Sequence, residues 1–115
     1  MAVRWHHVLR TLWGMGVLDM VAGRPVGTPH DEALAHAGHG VAIYWRPGCP
    51  YTARLRIAVR AHRQQARWVN IWEDQAGRAF VASVNGGDET VPTVVIDGVP
   101  HTNPEPALVK AALSR

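Results

Sequence analysis

The 115-residue chain holds one cysteine, Cys49. A single sulfur excludes an internal disulfide framework and any zinc site built of cysteines alone. It also suits a reducing compartment, so the expected location is the cytoplasm. No block of Lys or Arg occurs, and basic residues do not alternate with aromatic ones. The balance of 12 Lys+Arg against 9 Asp+Glu is only mildly basic, which argues against a nucleic-acid surface. There is no internal repeat and no low-complexity tract. The uncharged run "TLWGMGVL", Thr11 to Leu18, falls short of the roughly 20 residues that span a bilayer. What is present is a hydrophobic fraction of 47%, enough for a folded domain rather than a disordered chain. The length allows one small domain with a modest core.

The chain divides near residue 40. Residues 23–40, "GRPVGTPHDEALAHAGHG", are rich in Gly, Pro, Ala and His and read as a linker. Upstream, Trp5, Leu9, Leu12, Trp13 and Met20 recur at nearly helical spacing and predict a short amphipathic helix. The run from Thr11 to Leu18 has the length of a signal-peptide core, but Asp19 ends it and no clear small-x-small cleavage site follows. A helix docked on its own domain or on a partner is preferred, with membrane contact of residues 1–22 as the lesser alternative. Residues 1–40 are therefore an N-terminal extension and linker, and 41–115 the domain proper.

From residue 41 the pattern sharpens. "VAIYW", Val41 to Trp45, predicts a buried strand. Pro50 suits the first turn of a helix, which continues from Ala53 to His62 with Leu55, Ala58, Val59 and His62 on one face. "RWVNIW", Arg67 to Trp72, is a second strand, with Val69 and Ile71 on one side and Trp68 and Trp72 on the other. Asp74 can cap a helix running to about Val84. "NGGDE" is a turn. Thr93 to Asp97 is a third strand, and Asp97-Gly98 signals a hairpin into an edge strand, Val99 to Thr102. Asn103 caps a last helix, with Pro104 first and Leu108, Ala111 and Ala112 inward. The order is β-α-β-α-β-β-α, an α/β fold. Its first two strands are parallel and its last two form a hairpin.

Three features carry chemistry. Cys49, in "YWRPGCPYT" (Tyr44 to Thr52), stands where a strand stops and a helix starts. The free N–H groups of a helix start stabilise a thiolate, and Arg46, three residues earlier, adds to that field. The thiolate is the nucleophile of disulfide exchange. A free cysteine is more often a small buried hydrophobe, but Gly48 and Pro50 mark a loop-to-helix boundary, and such boundaries tend to be exposed. Pro92, in "ETVPTVV", stands just ahead of a strand. Only about 5–6% of X–Pro bonds are cis, so from the residues alone it reads as an ordinary trans proline. Thr102 and Asn103, in "HTNPE", precede a helix start, where a polar ligand could bind, though plain capping explains them as well. His30, His36 and His39 read as parts of a solvated linker rather than a metal site. His62 and His101 show no partner pattern.

Together, "YWRPGCPYT", "SVNGGDETVPTVV" and "TNP" resemble a glutaredoxin over residues 41–115, most closely the mycoredoxin-like branch of actinobacteria. The resemblance implies a thioredoxin fold with a four-stranded mixed sheet between helices, here with an N-terminal helical extension. It implies that Cys49 is the attacking thiolate and that Pro92 is cis, so that the Val91 backbone pairs with a low-molecular-weight thiol. It places Arg46 where a basic residue meets a substrate carboxylate, and Tyr51 as a wall of the site beside Pro50. Thr102 and Asn103 replace the family's glycine pair, which tilts the expected thiol from glutathione toward mycothiol. Dithiol members carry a second cysteine where this chain has Thr52. A second sulfur is needed to resolve a disulfide within the protein, but not to strip a small thiol from a protein.

The resulting expectation is a monomeric monothiol oxidoreductase acting on protein mixed disulfides, with mycothiol or glutathione as co-substrate and no permanently bound cofactor or metal. The alternatives are a carrier holding a [2Fe–2S] cluster between two copies through Cys49 and small thiols, or a non-catalytic binding module.

Overall fold

The structure is a computed structural model and describes residues 24–115. The helix expected over Trp5 to Met20 lies outside the described residues. In chain order the elements are α1 (His30–His36), a 3-10 turn (Ala37–His39), β1 (Val41–Trp45), α2 (Pro50–Ala58), a second 3-10 stretch (Arg60–Gln65), β2 (Ala66–Asn70), α3 (Gln75–Val84), β3 (Thr93–Ile96), β4 (Val99–Thr102) and α4 (Pro106–Leu113).

The strands form one mixed sheet in the order β2-β1-β3-β4. β1 pairs parallel with β2, from Val41 opposite Ala66 to Trp45 opposite Asn70. It pairs antiparallel with β3, and β3 pairs antiparallel with β4. A parallel pair needs a crossover, which α2 and its 3-10 continuation supply. The β3–β4 connection is Asp97-Gly98, with φ of 49° and 83°, the left-handed pair that a two-residue hairpin requires. This is the mixed four-stranded thioredoxin fold expected from the sequence.

β1 is buried along its whole length because helices cover both faces of the sheet. Its side chains alternate between two core clusters. Ala42 and Tyr44 join Val69, Val81 and Val95 on one face, with Phe80 against them. Val41, Ile43 and Trp45 join Leu55, Val59, Trp68, Val94, Val109 and Leu113 on the other. On the first face α3 comes very close to β2: a Cβ on Gly77 would meet Val69 Cγ1 at 2.6 Å, so the contact depends on glycine. No helix among the described residues is long and apolar enough to cross a membrane.

Several expectations need correction. Residues 30–39 are not a linker. They form α1 and its 3-10 turn, and Ala33 and Ala37 are fully buried in the same core cluster as Tyr44. Ala33 and Ala37 stand four apart, on one helix face, and their small size lets the helix lie close to the sheet. Alanine at these positions serves close packing rather than chain flexibility. The backbone adds to the join. Thr28 N–H donates to Trp68 O at 2.8 Å along the outer edge of β2, and Gly98 N–H donates to Ala37 O at 2.7 Å.

α4 begins at Pro106, with Glu105 as its cap, rather than at Pro104. Asn103 instead has a left-handed φ of 44° and ends the hairpin. The inward residues of α4 are Val109 and Leu113, with Ala112 partly buried against the same cluster as expected, while Leu108 and Ala111 are exposed. Either proline could open the helix, and the hairpin's end selects the later one. α2 stops at Ala58, so His62 falls in the 3-10 stretch, although Leu55 and Val59 do face inward. β2 ends at Asn70, which leaves Trp72 beyond the sheet and 57% exposed.

Candidate functional site

The site lies where β1 leaves the sheet. Arg46, Pro47 and Gly48 turn the chain, with Gly48 at φ +80°, a value that L side chains rarely adopt. Cys49 follows as the N-cap of α2 in extended conformation, and Pro50 takes the first helical position, where no N–H is required. The Ala53 N–H closes the first turn on Cys49 O at 3.0 Å. No side chain caps this helix start, so its N–H groups and their partial positive charge remain available beside the sulfur.

The sulfur is more enclosed than a loop-to-helix boundary suggests. Cys49 is 5% exposed and belongs to the Tyr44 cluster. The expectation of an exposed residue is therefore corrected: the α2 start is tucked against the loop ahead of β3. Cys49 Sγ–H points to Val91 O at 3.7 Å.

That loop carries the second part of the site. The Val91–Pro92 peptide is cis, and both residues are buried. Thr93 Oγ1 donates to Thr90 O at 2.7 Å and tightens the turn around them. Pro92 O accepts from Asn103 N–H at 2.8 Å, and Thr102 is paired with Thr93 across the β3–β4 ladder. The fold thus brings Thr102 and Asn103 beside Pro92 and the start of β3. Their role differs from the expectation, because neither caps α4. The Thr102 hydroxyl instead donates to Asn85 Oδ1.

Asn85 was missed by sequence reasoning. Its side-chain amide donates to Val81 O at 2.8 Å and to Thr93 Oγ1 at 3.0 Å. One residue therefore joins the end of α3, the start of β3 and Thr102. The signal was available, since an asparagine just before the glycine pair is placed to satisfy the last carbonyls of a helix.

The rim is aromatic and basic. Tyr51 is 56% exposed on the first turn of α2, two residues after Cys49. The Arg46 guanidinium lies over the Trp72 ring, 5.8 Å from its centroid, and donates to Pro47 O at 3.3 Å. That is within cation–π range. The alternation of the β2 segment predicts Trp72 on a strand face, but β2 ends at Asn70 and Trp72 instead meets Arg46 beyond the sheet. Thr52, one turn along α2 from Cys49, is fully buried, and its hydroxyl has no hydrogen-bond partner.

Behind β1 lies a polar group that the linker reading missed. His30 Nδ1 is 2.8 Å from the Tyr44 hydroxyl, and the His30 backbone N–H donates to Asp74 Oδ2 at 3.0 Å. Burial, with the negative charge of Asp74 as a smaller cause, holds the Tyr44 phenol well above its ordinary pKa. His36 lies apart, 3.2 Å from Gln65 O. Among the described residues no three His, Cys, Asp or Glu side chains gather into a metal-holding group.

The model of the family described as Glutaredoxin matches residues 41–101. Two proteins from Mycobacterium tuberculosis strains, each named "Putative glutaredoxin", are 45% identical to this chain over 74 residues, covering 64% of it and 88% of their own length.

Proposed function

The chain belongs to the glutaredoxin family, and from that premise we propose that it is a monothiol thiol–disulfide oxidoreductase that strips a low-molecular-weight thiol from protein mixed disulfides. The observation that carries the reading is the placement of the one sulfur. Cys49 heads α2 at an uncapped helix start, faces the Val91 carbonyl, and has Thr52 rather than a second cysteine one turn on.

The reaction follows from that inventory. The Cys49 thiolate attacks the small-thiol sulfur of a protein–S–S–R disulfide. The bond to the protein sulfur breaks, and the protein leaves as a thiolate that takes a proton from solvent. Cys49 now carries R through a new disulfide. A second R–S⁻ attacks the sulfur of R, frees Cys49 as a thiolate and leaves as R–S–S–R. The net exchange consumes one free small thiol per mixed disulfide: the incoming thiolate is oxidised to the disulfide level in R–S–S–R, the protein sulfur is reduced to a thiol, and no step calls for a second cysteine. The thiol lies against the loop at Val91 and Pro92, with Thr102 and Asn103 as polar contacts. Tyr51 and the Arg46–Trp72 pair form the outer wall. Mycothiol is the preferred co-substrate, and glutathione the alternative. The departure of Thr102 and Asn103 from the family's glycine pair favours the former. So does Arg46, whose guanidinium is already stacked on Trp72.

Intact mass after exposure to oxidised mycothiol and to oxidised glutathione tests this. The expected result is one adduct at Cys49, formed faster with mycothiol and absent in Cys49→Ser. No adduct with either compound would overturn the reading.

A further inference from the structure

Asn85 joins two threonines of the site, and the chemistry of each partner dictates where the protons lie. Val81 O, one of the last carbonyls of α3, can only accept, so the Asn85 atom 2.8 Å from it is the amide nitrogen. The same nitrogen lies 3.0 Å from Thr93 Oγ1. Thr93 has a single hydroxyl proton and gives it to another carbonyl, Thr90 O, at 2.7 Å. Toward Asn85 it therefore only accepts, as the nitrogen requires. With the nitrogen fixed, Asn85 Oδ1 is the atom that faces Thr102, and it too can only accept. The Thr102 hydroxyl proton is spent on it. The carbonyls of Val81 and Thr90 thus fix the polarity of the whole network.

Thr102 lies on the face of the sheet that holds the sulfur. The ladder pairs Tyr44 with Thr93 and Thr93 with Thr102, and directly opposed residues share a face. Tyr44 belongs to the cluster that contains Cys49 and Val91. The next residue, Asn103, donates its N–H to Pro92 O at 2.8 Å. Thr102 is exposed, so its hydroxyl oxygen can accept from a ligand but has no proton left to give. A hydroxyl that turns freely serves donors and acceptors alike, whereas this one is held in one sense. A carboxylate brought beside it meets a lone pair. A hydroxyl or N–H meets an acceptor.

We propose that Asn85 is a positioning residue that sets co-substrate specificity. By holding Thr102 as an acceptor only, it selects a small thiol that presents a hydroxyl or N–H beside Pro92 and disfavours one that presents a carboxylate there. Mycothiol carries sugar and inositol hydroxyls where glutathione carries carboxylates, so the pair probes the distinction directly. Asn85 touches neither thiol and acts through Thr102. The inference rests on the reading of this face as a small-thiol site.

The test uses the full chain and the rates of adduct formation at Cys49 with oxidised mycothiol and with oxidised glutathione, taken as a ratio. In Asn85→Ala the Thr102 hydroxyl is free to turn, and the mycothiol preference should fall roughly 3- to 10-fold, the scale of one neutral hydrogen bond. Thr102→Val should lower it by a similar factor, and Thr102→Ser, which keeps the hydroxyl, should hold the wild-type ratio. The double variant Asn85→Ala/Thr102→Val should fall no further than either single one, because the first residue acts through the second. If Asn85→Ala does not fold, Thr102→Val on the exposed hairpin end carries the comparison. A wild-type ratio in the alanine or valine variant overturns the proposal. So does equal slowing with both disulfides, which is a bracing effect alone, and so does an additive double variant. No adduct with either disulfide in wild type overturns the oxidoreductase reading instead. The role of Asn85 is then decided by NMR titration of the Cys49→Ser chain with reduced mycothiol and reduced glutathione. Asn85→Ala should lower the preference there too, and an unchanged preference, or no binding of either thiol, overturns it.

Discussion

Tyr44 is fully buried, and its hydroxyl pairs with His30. Burial first, and the Asp74 charge second, hold its phenol protonated to higher pH in the folded chain than in the unfolded one. A raised pKa means that the stability it contributes is complete below the ordinary phenol value of about 10 and is lost as pH rises beyond it, because the unfolded chain ionises first. The urea midpoint of the wild-type chain should therefore fall between about pH 10 and 12. Tyr44→Phe removes that alkaline loss. It should also start about 0.5–1.5 kcal/mol less stable at neutral pH, through the lost hydrogen bond. Parallel urea titrations at pH 7 and pH 11 check both. An equal alkaline loss in the phenylalanine variant would show that another group is responsible.

At the scale of elements, Asp74 is the joint between the N-terminal helix and the helix after β2. One carboxylate oxygen caps α3 by accepting the Gly77 N–H at 2.9 Å, and the other accepts the His30 N–H at the start of α1 at 3.0 Å. Asp74→Ala removes both bonds. Loss of a cap alone costs about 0.5–2 kcal/mol. Hydrogen exchange should then show lowered protection in α3 and, less obviously from the sequence, in α1. Asp74→Asn keeps the capping oxygen and should recover most of the α3 protection. Unchanged exchange in α1 would mean that its packing against the sheet holds it without this bond.

For the whole molecule, the prediction concerns where the domain begins. Ala33 and Ala37 lie in the core cluster beneath Tyr44, and Phe80 packs on it from α3. His30 meets both rings, with centroids 5.6 Å from Tyr44 and 5.2 Å from Phe80. A chain starting at residue 41 keeps every segment of the family match but uncovers that face. Its stability should fall by on the order of 2–3 kcal/mol, the scale of exposing one large apolar side chain. It should also bind a hydrophobic dye more strongly. Matched thermal melts of the two chains decide this, and equal melting points would restore the linker reading.

The antiparallel β1–β3 pairing that joins the two halves was not legible in the sequence, while the strands β1 to β4, the parallel β1–β2 pair, the β3–β4 hairpin and the Asp74 cap of α3 were. Each rests on a local rule: an apolar β-rich run, a Pro or Asp at a helix start, an Asp-Gly turn. Cys49, Pro92 and Thr102 could be picked out by motif for the same reason. Tertiary contacts decided the rest. Residues 30–39 have the composition of a linker, and only the sheet beneath them makes Ala33 and Ala37 a buried face. Pro104 and Pro106 are equal candidates for the start of α4, and the bond from Asn103 to Pro92 chooses between them. A loop-to-helix boundary suggests an exposed sulfur, yet the loop at Val91 covers Cys49. It is burial, too, that leaves the Thr52 hydroxyl without a partner. In each case the deciding partner lies far away in sequence, so no local pattern carries it.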